Sequence, residues 1–152
     1  MIVTRQRAVS GFTLIELLVV VVIIGILAAL GTMSYLSMID KARVVKAIGD
    51  IKAISTAVDD YWVRTMDYPA GLAVVGENGR VDPWDRPYAY LKIQGPGAGA
   101  RMDKNLVPIN SDYDLYSLGK DGKSTPPLTA KSSMDDVVRA NNGGFVGLAA
   151  NY

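Results

Sequence analysis

Apolar positions divide the chain into two regimes. From Leu14 to Leu30 only Glu16 and Gly25 interrupt an apolar run, close to the ~20 residues that span a bilayer as a helix. The run leads without proline into Thr32–Thr65. There Val44, Ile48, Ile51, Val58 and Trp62 recur at spacings near three and four, with Ser55 in the same stripe. Asp40, Lys41, Lys46, Asp50, Lys52 and Asp59 fall mostly outside it. The pattern predicts one helix from Phe12 to Thr65, about 54 residues and roughly 80 Å long. Its first half suits lipid or a filament core, and its second half lays one stripe on a globular domain. Pro69 ends it.

Beyond the helix the periodicity shortens. Tyr88–Ile93 and the alternating Asp112–Leu118 read as strands, and Asn105–Ile109 as a possible third. Gln94–Ala100 reads as flexible loop, and Gly119–Asp136 as a long loop. A short apolar tail follows from Gly144. The fold class is therefore α+β: one very long N-terminal helix against a small antiparallel sheet, with an irregular C-terminal loop.

Composition removes several chemistries. The 152 residues include no cysteine and no histidine, which excludes disulfides, thiol nucleophiles, Cys/His zinc sites and serine–histidine triads. The net charge is +1 with no basic patch, so nucleic acid is not an expected partner. No phosphate loop or dinucleotide fingerprint appears, and Gly95–Ala100 lacks the strand-to-helix setting that would give its glycines a role. No catalytic residues are assigned. Trp62 and Trp84 read as core residues rather than ligand contacts.

The segment before the apolar run, MIVTRQRAVSG, is short and basic, with Arg5 and Arg7 and no acid. Three readings fit: a secretory signal peptide cut near Ala29–Gly31, a plain membrane anchor held by the positive-inside rule, or a processed leader. The first two leave Glu16 unexplained, since a carboxylate within lipid costs on the order of 2.5–3.5 kcal/mol.

The order of a basic leader, GFTLIE at Gly11–Glu16 and a long apolar helix resembles the class III leader junction of type IV pilins and pseudopilins. The resemblance implies that a prepilin peptidase cuts between Gly11 and Phe12 and that Phe12 is N-methylated. It also implies that Glu16 meets the charged Phe12 amine of a neighbouring subunit. Such a pair would neutralise the carboxylate and fix axial register, since an unpaired buried charge penalises a slip. Residues 1–11 would then be leader, 12–31 the membrane and filament-core half of the helix, and 32–152 the periplasmic domain. Gly25 and Gly31 are weak points in a helix. They suit either close helix packing with Ala28 and Ala29 or local melting on assembly. Pilin-like chains often carry a proline near this point, where this chain has Met33.

Further along, Tyr68–Pro69, DPWDRPYAY at Asp82–Tyr90, DLYSLGKDG at Asp114–Gly122 and Asp135–Asp136 are similar, in order, to major pseudopilins of type II secretion systems. These chains usually have glycine where this one has Asp85. The resemblance implies a structural subunit anchored in the inner membrane, its domain in the periplasm. It would polymerise through its helix into a periplasmic filament, together with minor pseudopilins, an inner-membrane platform and an assembly ATPase. An extracellular type IV pilus is the alternative, weighed against by the missing cysteines. A membrane-anchored periplasmic binding or enzymatic domain is a third reading.

The resemblance further implies one Ca²⁺ held by Asp121, Asp135 and Asp136 through carboxylates and by Leu118 and Lys123 through carbonyls. Calcium takes six to eight such oxygens. Spacing alone would read these aspartates as solvated turn residues, and the Asp121–Asp135 separation is longer than these chains usually have.

Overall fold

The computed structural model describes residues 11–95 and 99–152. Residues 1–10 of the expected leader, 1–11, and three positions of the predicted flexible loop lie outside the described residues. The helix α1 runs Leu14–Thr65, and no break occurs at Gly25 or Met33. Residues up to Ile39 form one compact unit and Asp40–Tyr152 a second.

In the first unit every residue from Gly11 to Leu30 is exposed. A helix apolar on all sides has no face to turn toward water, so this one needs lipid or neighbouring helices around it.

The second unit holds a four-stranded antiparallel meander: β1 (Ala89–Lys92), β2 (Tyr113–Ser117), β3 (Val137–Ala140) and β4 (Phe145–Leu148), in that spatial order. Ala89 faces Tyr116 across β1–β2, Tyr116 faces Val138 across β2–β3, and Val137 faces Leu148 across β3–β4. Ala47, Ile51, Ile54 and Val58 of α1 are fully buried against Leu72, Tyr88, Tyr113, Leu115 and Val137. Alternation along the strands sends Val138 and Ala140 to the opposite face, where they join Ile109, Leu128 and Ala149.

The structure corrects three expectations. The buried stripe of α1 keeps the expected Ile51 and Val58 and adds Ala47 and Ile54, while Val44 and Ile48 are only partly covered. Trp62 lies at its edge, 40% exposed and stacked on Tyr68 at 6.0 Å. Asn105–Ile109 is not a strand: Asp103 closes a turn there, its Oδ1 accepting the Asn105 and Val107 amides, and Leu106 adopts φ 60°. An isolated bridge joins Met102 to Pro108. Finally, the segment after Asp136 holds an interior strand, β3. Its four residues include the buried Arg139, whose charge hides the strand pattern. Arg139 is neutralised by Asp112 at 2.7 Å and lies 3.8 Å over the Tyr113 ring.

Candidate functional site: the helix start and the C-terminal loop

Phe12, Thr13 and Glu16 form the first candidate. Thr13 precedes the helix, and its Oγ1 accepts the Glu16 N–H at 3.3 Å. The Glu16 carboxylate reaches back, Oε2 accepting from the Thr13 amide at 2.9 Å and the Thr13 hydroxyl at 2.8 Å. This is a reciprocal capping box, which satisfies two of the helix's free donors. In a single chain, then, Glu16 already has partners from its own backbone, while Phe12 beside it is 84% exposed. The sequence motif had indicated the glutamate. Its capping role was also legible, in the Thr-x-x-Glu spacing.

The second candidate is the loop from Leu118 to Asp136. Gly119 and Gly122 take positive φ, 63° and 69°. A Cβ on Gly119 would lie 2.2 Å from the Asp135 carbonyl oxygen, so only glycine admits this approach. The Asp121 amide donates to Asp135 Oδ2 at 2.9 Å, and the Lys123 amide to Asp121 Oδ1 at 2.8 Å. The two ends of the loop thus meet through Asp121 and Asp135.

Asp136 turns inward instead. It is fully buried, and its Oδ2 accepts from Arg101 at 2.7 Å and from the Ser124 hydroxyl. Its Oδ1 is buried with no partner among the described residues. Burial pushes the Asp136 carboxyl up to about 6, reinforced by Asp135 and Asp121 and opposed by Ser124 and Arg101. Arg101 is 4% exposed and also donates to Ser124 Oγ and the Thr125 carbonyl.

Arg86 clamps the near side of the loop, donating to the Gly119 carbonyl at 2.6 Å and the Lys120 carbonyl at 3.3 Å. It is placed by Asp82, 1% exposed, whose Oδ1 accepts the Trp84 and Arg86 amides at 2.9 Å each and whose Oδ2 accepts the Ser117 hydroxyl. Asp85 takes φ 63° in this turn.

Three carboxylates and the Leu118 and Lys123 carbonyls therefore belong to one closed loop, and the unsatisfied Asp136 Oδ1 is an acceptor that a hard cation would suit. Among the described residues no three acidic side chains already converge as a metal centre. Sequence reading did not single out Arg86, Arg101 or Ser124. No local pattern marks them, because their partners lie 12 to 35 positions away.

Residues 6–32 match the family model described as the prokaryotic N-terminal methylation motif, and residues 34–132 match that of type II secretion system protein G. The chain is 41% identical to a type II secretion system core protein G from Pseudomonas aeruginosa, over 78% of this chain and 89% of the relative. Proteins of the same description from Aeromonas hydrophila and Vibrio cholerae are 33% and 34% identical. Their matches cover 79% and 78% of this chain, and 89% and 86% of the relatives. No solved structure matches.

Proposed function

The chain belongs to the type II secretion system protein G family, and we propose that it is the subunit that polymerises, through its N-terminal helix, into a periplasmic filament driving protein export across the outer membrane. The observation that carries this reading is the helix start. An apolar segment exposed on every side from Gly11 to Leu30 bears one capped carboxylate, within a sequence that matches the methylation motif.

Before assembly the segment sits in the inner membrane with the domain on the periplasmic side. A prepilin peptidase removes residues 1–11, and Phe12 becomes a methylated N-terminus. On assembly the helix exchanges lipid for neighbouring helices, which gains packing rather than hydrophobic energy, since lipid is equally apolar. Glu16 then exchanges its Thr13 partners for the Phe12 amine of the next subunit. Minor pseudopilins, an inner-membrane platform and an assembly ATPase are the expected machinery. Mass analysis of the mature N-terminus tests the processing: a methylated chain beginning at Phe12 supports it, and an unmodified start at Met1 overturns it. Glu16→Ala should insert in membranes and lose filament yield; unchanged yield would refute the exchange.

The reading includes one structural Ca²⁺ in the C-terminal loop, supported by the Asp136 Oδ1, which has no partner among the described residues, and by the Asp121–Asp135 link that closes the loop beside it. Leu118 and Lys123 would add carbonyls. Binding to the folded state alone adds stability by mass action. The melting midpoint should therefore fall when a chelator replaces calcium, and an unchanged midpoint removes the site.

A further inference from the structure

We propose that Asn78 is a site of spontaneous deamidation, with aspartate and isoaspartate at that position as products. Asn78–Gly79 and Asn142–Gly143 are the two Asn-Gly pairs of the chain. This pair is the most reactive for the chemistry, because glycine puts no side chain in the way of its own amide nitrogen. The reaction needs a carboxamide free to rotate and a following N–H free to attack. The two pairs differ in how the carboxamide is held.

Asn78 and Gly79 are the exposed middle residues of the turn that Arg80 N–H closes onto the Glu77 carbonyl at 3.2 Å. Among the described residues neither the Asn78 carboxamide nor the Gly79 N–H has a hydrogen-bond partner. A Cβ added at Gly79 would meet nothing within 4 Å, so the turn has room to rearrange. Asn142 is held instead. Its Oδ1 accepts the Ser111 amide at 2.8 Å, and its Nδ2 donates to Ser111 Oγ at 2.9 Å. Its backbone N–H donates to the buried Asn110 at 2.9 Å.

The step balances with water and hydroxide alone. Hydroxide takes the Gly79 amide proton, and the nitrogen attacks Asn78 Cγ. The new C–N bond closes a five-membered succinimide, and the C–NH₂ bond breaks, releasing ammonia. Water then opens either ring C–N bond. One opening leaves aspartate. The other leaves isoaspartate, in which the main chain runs through the side-chain carboxyl and is one carbon longer.

The location gives the change a consequence. Arg80 ties this turn to the helix: its Nη1 lies 3.3 Å from Asp50 Oδ1, and its Nε donates to Glu77 Oε2 at 2.7 Å. Asp50 also accepts from the buried Tyr88 hydroxyl at 3.0 Å. An isoaspartyl residue lengthens the turn between Glu77 and Arg80 and so loosens this anchor.

Full-length protein in detergent, aged at mildly alkaline pH and then cut with trypsin, provides the test. The peptide Thr65–Arg80 carries Asn78, and Ala140–Tyr152 carries Asn142. Two hydrogen bonds of ordinary strength predict that Asn78 converts roughly tenfold or more faster in the folded chain. In urea the two peptides should convert at similar rates. Gly79→Ala should slow conversion at Asn78 without moving the melting midpoint of fresh protein. Equal rates in the folded chain, or an unconverted Thr65–Arg80 peptide, would overturn the proposal.

Discussion

Replacing Arg101 by methionine removes one buried cation and leaves its partner behind. Arg101 and Asp136 are 4% and 0% exposed, with 2.7 Å between nitrogen and oxygen. The methionine keeps most of the apolar stem. What is lost is the charge facing Asp136 and the donors to Ser124 and the Thr125 carbonyl. Breaking a buried pair from one side typically costs about 3–5 kcal/mol, because the remaining charge stays desolvated. For a domain of roughly a hundred residues that corresponds to a fall of at least about 10 °C in Tm. Asp136→Asn added to Arg101→Met should recover part of the loss, since the residue left behind is then neutral.

The sign of the pH dependence also follows. The fold raises the Asp136 carboxyl to about 6, above its unfolded value, so the folded state holds the proton more tightly. Asp136 therefore favours folding most when protonated, and that contribution is lost as pH rises from the ordinary carboxylate range through about 6. Without Arg101 the loss is larger, so parent and variant should diverge further at pH 8 than at pH 5. Thermal melts followed by circular dichroism, run in chelator so that no cation takes the place of Arg101, measure both effects. A Tm shift below about 2 °C at pH 8, well under the buried-pair expectation, would refute the reasoning.

Three further outcomes are expected. Gly119→Ala should destabilise by at least about 1–3 kcal/mol in urea melts. Its backbone is left-handed and its Cβ would lie 2.2 Å from the Asp135 carbonyl oxygen, so the loop has to open. Asp85→Gly should stabilise by about 0.5–1 kcal/mol: relief of a positive φ of 63° outweighs the added freedom of the unfolded chain. Ile54→Ala should cost about 2–5 kcal/mol in the same melts, because Ile54 is fully buried between α1 and the sheet.

Much of this protein was written locally. A long apolar run without proline carries its helical signal in its own neighbours in sequence. GFTLIE carried both the capping of Glu16 by Thr13 and the match to the methylation motif. Pro69 marked the end of α1 to within a few residues, and alternation around Leu115 placed β2, because both signals act locally. Tertiary structure decided what depends on distant partners. Val137–Ala140 is an interior strand paired on both sides, and Asp112, just before β2, neutralises the Arg139 it buries. Asn105–Ile109 is the exception, since the turn that replaced its strand is held by Asp103 only two and four residues away. The C-terminal loop shows the division most clearly. Its aspartates and glycines were visible in the sequence, yet the fold turned Asp136 away from its neighbours and toward Arg101, 35 residues distant. A buried carboxylate takes the nearest charge that packing brings to it, and no spacing along the chain specifies which charge that is.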